Sequence, residues 1–364
     1  MEVRKVKFTQ RNHSDFFSVL RKRIDDHFEQ VHKTQFADGR MWFKIIFWLF
    51  SWAATWCAIM FSGLAGWWLV LLGVMHGFTH LFIAFNIAHD ANHGSISLNK
   101  RVNDIFSCSL DLIGVNSYLW RFSHNTAHHS YVNVVGVDTS SDGYGIIRFN
   151  GQDKWKPAFR FQHYYAWLLY AVATLNYVFT KDFNLFFRLR KQNSSMSPST
   201  GEWVYLIITK LFYYSYTLVL PTIFLPYSFG QVFGVFVLAH ALLGFTLALA
   251  FQTGHLIEGT SFPPLDKDGN VNKNWAVHIV ETTTDYASSN PLVSWLLGGI
   301  NVHVIHHLYP RICHTHYKEL APIVQATAEE YGLTYQTIPT FRQAVVSHYR
   351  LLKELGKKDF KMAS

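Results

Sequence analysis

The 364-residue chain is poor in charge and in sulfur. Asp, Glu, Lys and Arg make up 15% of it, against roughly 25% in an average soluble domain, which argues against a pair of soluble domains of this combined length. Its three cysteines, Cys57, Cys108 and Cys313, lie far apart and form no CxxC pair, so neither a disulfide framework nor a thiolate metal cluster follows. Residues 1–40 lack a basic stretch running into a short apolar core and a small-residue cleavage site. No signal peptide is therefore expected, and the N-terminus is placed in the cytosol. No internal repeat, low-complexity tract or linker divides the chain, which reads as a single domain.

In excess are apolar and aromatic residues, the latter 17% of the chain, and histidine, of which there are 20. The net charge of +8 comes from basic residues that flank apolar segments, the pattern of a membrane surface rather than of a nucleic-acid partner. Four apolar runs, at 41–62, 67–88, 203–227 and 231–251, have the length of about 20 helical residues that crosses the hydrocarbon layer. Lys44 interrupts the first. Lys210 falls near the start of the third, where it either snorkels to the interface or precedes the span.

The connections 63–66 and 228–230 are too short for domains, so the runs pair into two hairpins whose ends face the cytosol by the positive-inside rule. Tyr164 to Phe179 is apolar but too short to cross, and is expected as an interfacial helix. Phe16, Phe17, Leu20 and Ile24 have the spacing of a helix packed on a cap. The expected fold is an all-α integral membrane protein: four transmembrane helices in two hairpins with a cytosolic helical cap, 89–200 and 252–364.

Against this topology most histidines fall just beyond the ends of spans. The first group is His89 and His93, the second His124, His128 and His129, and the third His303, His306 and His307; His255 stands alone past the fourth run. If the stretch from Gly298 to Pro310 is helical, spacings of three and four put His303, His306 and His307 on one face. Nine imidazoles are too many for one ion and suit two. Imidazole accepts Zn, Cu, Fe or Ni. A site at the mouth of an aromatic-rich bundle receives a lipid chain, and oxidising an unactivated methylene calls for a metal that activates oxygen, which favours iron.

Each group has a plainer reading, since a single HxxxH is more often a surface or capping pair; three groups in order beside span ends are what tips the balance. His76 and His80 share that spacing but lie inside the second run, the nearer, His80, roughly 13 Å along the helix from His89, and read as buried polar residues. His314 and His316 are candidates for substrate binding or for support of the site. His163, His240 and His278 read as structural. Asp90, Asp138, Glu258 and Asp285 are candidates to accept the second N–H of a ligating histidine. The single Glu-x-x-His, Glu29 to His32, disfavours the architecture of soluble di-iron bundles, which use two.

The motifs His89-Asp-Ala-Asn-His93, Trp120-Arg-Phe-Ser-His-Asn-Thr-Ala-His-His129, Gly136-Val-Asp138, and Gly298-Gly-Ile-Asn running to His306-His-Leu-Tyr-Pro310 resemble, in order and over nearly the whole chain, the membrane fatty-acid desaturase family. The similarity is greatest to bacterial and cyanobacterial acyl-lipid desaturases of delta-6-like, front-end type. Val6 to Gln10, Thr282-Thr283 and Ile312 to Tyr317 contribute to it. The resemblance implies two irons, molecular oxygen as co-substrate, two electrons from an external donor, and removal of two hydrogens from an acyl chain carried on a lipid or thioester. It also implies that all nine histidines are ligands, His255 included.

His303 stands where the front-end subgroup usually has glutamine, which leaves the inherited regioselectivity open. No His-Pro-Gly-Gly occurs, so a separate, ferredoxin-like electron donor is expected. The implied location is a bacterial inner membrane or a thylakoid, with both termini cytosolic. Hydroxylation, acetylenic-bond formation and oxidative decarboxylation to a terminal alkene are the alternatives on the same scaffold; a membrane metal transporter is the alternative outside enzymes.

Overall fold

The structure, a computed structural model, describes residues 6–10, 12–138, 140, 143–191 and 197–360. Helix α1 (Phe16–Gln30) precedes four helices long and apolar enough to cross a membrane: α2 (Gly39–Phe61), α3 (Trp67–His93), α4 (Thr200–Phe224) and α5 (Phe229–His255). The shortest has 23 residues, or about 35 Å of helix, which exceeds the roughly 30 Å hydrocarbon thickness.

Their starts are set by capping. Asp38 accepts the Met41 N–H at 3.1 Å and begins α2 ahead of the apolar run. A reciprocal pair, the Ser199 hydroxyl accepting from Glu202 N and the Glu202 carboxylate from Ser199 N, starts α4 before Trp203. Their ends differ more from expectation. The second apolar run does not stop at Ala88; it passes through a π-type turn at Ala84–Ala88 and continues to His93, closing on Gly94 with φ of 75°. The fourth continues past Phe251, so His255 is its last residue rather than a loop residue beyond it.

Two compact units are present. One comprises residues 38–122 and 168–248 and holds most of the four long helices. Inside it α2 meets α3 through Trp48 on Phe82, with ring centroids 4.5 Å apart, and α4 meets α5 through Tyr213 and His240. Large apolar side chains such as Phe43, Ile46, Phe50, Leu71, Ile208 and Ile223 point outward and are exposed, a surface that suits lipid. Residues 89–122, 168–191 and 197–200, expected in the cap, fall in this unit.

Lys210 neither snorkels nor precedes its span. It is buried in α4, 2.8 Å from the Asp182 carboxylate, and donates to the carbonyls of Gly114 and Tyr177. Hydropathy alone hides this partner, which sits 28 residues earlier in the chain. The stretch 164–179 is helical but broken, as Gln162–Ala171, Ala173–Asn176 and a π-type turn at Tyr177–Lys181.

The other unit comprises the chain up to residue 37, residues 123–167 and everything from 249 onward. It contains α6 (Trp275–Thr282), α7 (His303–Leu308), α8 (Tyr317–Glu330) and α9 (Phe341–Leu355). The α1 stripe packs as its spacing predicts: Phe16, Leu20, Ile24 and Phe28 are buried with Ile305 and Leu308 of α7 and Leu320 and Val324 of α8. Two short strands, β1 (Asp285–Tyr286) and β2 (Thr337–Ile338), pair in parallel, Asp285 opposite Thr337. This ties the segment ahead of α7 to the segment ahead of α9.

Candidate metal centre

Seven of the nine candidate ligands lie in the second unit, and all seven are buried. His124 and His128 ride on a π-type turn, Phe122–His128, with His129 next. The i to i+5 bond from His129 N to His124 O sets the two rings edge to face and brings their Nε2 atoms to 3.1 Å. Helix α7 puts His303, His306 and His307 on one face as expected, with ring centroids 4.7–5.7 Å apart. Asp285 Oδ1 accepts the Val304 N–H at 2.9 Å at the start of that helix.

His255, at the end of α5, brings its Nε2 to 2.7 Å from that of His303, which is itself 3.2 Å from that of His307. Ligand atoms of His128, His255 and His307 lie within 4.8 Å of one another, as do those of His129, His306 and His307. His307 is common to both triads, an arrangement with room for two ions.

The hydrogen-bond network assigns the tautomers. His303 Nδ1 donates to the Ile300 carbonyl at 2.8 Å and His255 Nδ1 to the Thr282 carbonyl at 3.2 Å. His128 Nδ1 donates to Asp138 Oδ2 at 3.1 Å. In all three rings Nε2 therefore carries no hydrogen, and those of His255 and His303 meet inside the cluster. Two such lone pairs at 2.7 Å repel unless a cation lies between them, so the donor set fits a metal. Burial, then the neighbouring rings of His129, His303, His255 and His128, hold the His307 imidazole well below its ordinary pKa and keep it in the neutral form that binds metal.

The four candidate carboxylates divide. Asp138 contacts a ring. It also accepts from Asn133 N at 3.0 Å and from Ser140 N and Oγ at 2.9 and 2.5 Å. Burial pushes its carboxyl up, but the His128 ring and the Ser140 donors outweigh that and hold it below the usual range. Asp285 caps α7 and accepts from the Tyr335 hydroxyl at 2.5 Å, and so bears on the backbone of the box rather than on a ring. Glu258 accepts from Ser347 Oγ at 3.2 Å and faces Arg350, both on α9; among the described residues its partners are not histidines. Asp90 lies 3.7 Å from Nδ1 of His89.

His89 and His93 belong to the first unit. They share a face of α3 with ring centroids 4.8 Å apart and pack against the edge of Trp120. His76 and His80 are buried there, bonded to Thr55 and to Trp52 and Tyr216. His240 pairs with Tyr213 and Thr174. In the second unit His316 donates to the Phe36 carbonyl, His163 lies tilted against Tyr164, His278 lies beside Phe8, and His314 sits against Gly299.

Three contributors escaped the sequence reading. Gly254 is required because a Cβ there would lie 2.6 Å from the His303 ring; its place in Thr253-Gly-His255 was the available signal. Asn133 Nδ2 donates to the carbonyls of His255 and Ser261, at 3.1 and 3.3 Å, and fixes the end of α5. Tyr317 places its hydroxyl 3.3 Å from His306 Nδ1.

Apolar helices of membrane-crossing length joined in one chain to a buried histidine cluster able to hold metal define the class to which this protein belongs. Residues 65–339 match the Fatty acid desaturase family, and the chain is a member of it, an oxidoreductase. It is 33% identical to the sn-1 linoleoyl-lipid 6-desaturase of Synechocystis sp., covering 98% of this chain and 99% of that one. It is 32% identical to the sn-1 linoleoyl-lipid 6-desaturase of Arthrospira platensis, covering 94% and 92%. With the acyl-lipid (8-3)-desaturase of Physcomitrium patens the identity is 29%, over 98% of this chain and 75% of that one.

Proposed function

We propose that this desaturase acts on an acyl chain esterified in a membrane lipid, as the names of its cyanobacterial relatives state for them, and that two irons are held by His89, His93, His124, His128, His129, His255, His303, His306 and His307. The observation that carries the metal assignment is that Nδ1 is the donor on His128, His255 and His303, which leaves each Nε2 without a hydrogen, two of them 2.7 Å apart. The inclusion of His89 and His93 rests on the motif. When bound, a di-iron centre supplies the reduction of molecular oxygen coupled to loss of two hydrogens from neighbouring methylenes.

The chain's own residues hold the ligands. The carbonyls of Ile300 and Thr282 and the carboxylate of Asp138 keep each Nδ1 protonated and each ring oriented, while Asn133, Gly254 and Asp285 fix the backbone that carries them. Burial of the rings keeps bulk water from the reacting atoms. The proposed topology is two hairpins with a cytosolic cap and cytosolic termini in a bacterial inner or thylakoid membrane, and electrons come from a separate ferredoxin-like protein; these rest on the apolar runs, their basic flanks and the family.

Lipid analysis of cells expressing the protein and fed single fatty acids tests the reading. A new double bond is expected, with position 6 of linoleoyl chains the first to examine, and an H306A/H307A variant should lose it together with its iron. A hydroxy acid or a terminal alkene as the product refutes it.

A further inference from the structure

Helix α9 has two unlike faces. Its buried side, which includes Ser347, His348, Leu351 and Leu355, packs within the unit that holds seven of the nine histidines. From that side His348 Nδ1 donates to the Leu256 carbonyl at 2.6 Å, and Ser347 Oγ accepts from Glu258 N at 3.1 Å. Leu256 directly follows His255 in the chain. A helix with its side chains is about 10–12 Å across, so the outer side of α9 lies about one helix diameter from the backbone beside a candidate ligand.

The outer side is basic. Arg342, Val346, Arg350 and Lys353 follow one another at spacings of four, four and three, and all are exposed, in one stripe away from His348. Lys357 and Lys358, also exposed, continue the charge past the end of the helix. The segment before residue 161 adds Lys154 and Arg160: the Trp155 indole donates to the Gly356 carbonyl at 2.8 Å, and the Arg160 guanidinium lies 6.0 Å from the Trp155 ring. Glu354, 2.7 Å from Lys357, is the one carboxylate on α9, while Asp153, Glu258 and Asp359 offset part of the charge. Two other helices of the unit lack this excess. Helix α1 carries Arg21, Lys22 and Arg23 against Asp25, Asp26 and Glu29, and α8 carries Lys318 against Glu319, Glu329 and Glu330.

We propose that the outer face of α9 is the docking surface of an acidic one-electron carrier that feeds the metal centre, an inference that rests on the desaturase reading above, in which electrons come from a separate protein. The charge selects a partner of opposite sign and steers its approach. The 15 residues of α9 span about 22 Å, the width of a patch of about 600 Å² per partner, as in brief redox encounters. A small interface suits a carrier that must leave after each electron. Ser347 and His348, by their inner contacts, hold the docking face one helix away from the segment of His255. Each encounter oxidises the carrier by one electron. Two encounters, with two protons from water, two hydrogens of the acyl chain and one O2, yield two waters and one double bond.

The test uses full-length, iron-loaded protein in lipid nanodiscs and, as the probe, a reduced plant-type two-iron, two-sulfur ferredoxin with an acidic surface. Ferredoxin oxidation is followed optically on anaerobic mixing with the oxidised protein. Photoreduced methyl viologen serves as a small donor that needs no docking surface. We expect Arg342→Glu/Lys353→Glu to slow ferredoxin oxidation about tenfold at low salt, with the difference shrinking as salt rises, while its viologen-driven rate and iron content stay native. Lys22→Glu on α1 should leave both rates unchanged. Carbodiimide cross-linking of native protein should join ferredoxin carboxylates to Lys353 or Lys357. Equal ferredoxin rates in native and double-variant protein overturn the proposal, as do cross-links confined to residues outside 153–160 and 342–358; the cross-link map decides even if the variant does not fold. A variant that alters only the response of viologen-driven turnover to anionic lipid assigns this face to the membrane surface and also overturns it. Native protein that forms double bonds with viologen but takes no electrons from ferredoxin refutes the acidic carrier alone, whereas no double bonds with either donor refutes the desaturase reading beneath it.

Discussion

Nε2 of His303 lies 2.7 Å from Nε2 of His255, although each ring has already committed its one proton, on Nδ1, to a backbone carbonyl. Two neutral imidazoles do not approach that way unless something positive lies between them. One ring comes from the end of a membrane-length helix and the other from the third histidine box, 48 residues later, so the contact also ties those segments together.

Replacing either ring by alanine should therefore release metal as well as activity. For His255→Ala and His303→Ala we expect loss of bound iron, measured by elemental analysis of purified protein. His303→Gln keeps an oxygen donor at that position and should retain more iron than His303→Ala. Full iron occupancy in both alanine variants would refute the ligand assignment.

Asp138 and Glu258 should behave differently despite similar prospects in the sequence. Asp138→Asn removes the charge that accepts His128 Nδ1–H, and losing such a partner typically costs about 10–100-fold in metal affinity or activity. Glu258→Gln alters a contact with Ser347 and Arg350 and should change stability by no more than about 0.5 kcal/mol. Iron content and turnover measured side by side decide this; equal losses would contradict it.

Gly254→Ala should damage the centre without breaking α5. Its methyl would press on the His303 ring, and overpacking of this kind costs about 1–3 kcal/mol. Gly234→Ala, where a Cβ meets nothing within 4 Å, is the control on the same helix and should be neutral or stabilising by up to about 1 kcal/mol. Thermal unfolding in detergent and iron content report the two effects separately.

His348 predicts part of the acid sensitivity. Burial lowers its pKa from 6.5 to about 4, with the Leu256 carbonyl opposing in part. Below pH 6.5 the unfolded chain takes up the proton that the folded ring refuses, so stability falls as pH drops from 6.5 to 4, by about 3 kcal/mol when complete. His348→Gln should flatten the decline in melting temperature over that window and leave stability above pH 7 limited only by the lost Leu256 contact. An unchanged slope in the variant would show that the ring is protonated in the fold.

Much of the layout was legible in the chain. The four apolar runs announce themselves by length, and the α1 stripe and the face shared by His303, His306 and His307 follow from helical period. Element ends were less legible because capping and π-type turns override hydropathy: α3 runs on to His93 and α5 to His255. Lys210 looked misplaced until Asp182 and two carbonyls came within reach.

By itself the sequence determined the elements, the histidine groups and the chemistry that so many imidazoles beside apolar helices can serve, because those depend on residue type and local spacing. Only the tertiary structure decided which nitrogen of His128, His255 and His303 carries the proton and which acidic residue backs a ligand. Those depend on contacts such as His255 with Thr282 and Asn133 with Ser261, between residues far apart in the chain, and local periodicity carries no record of them.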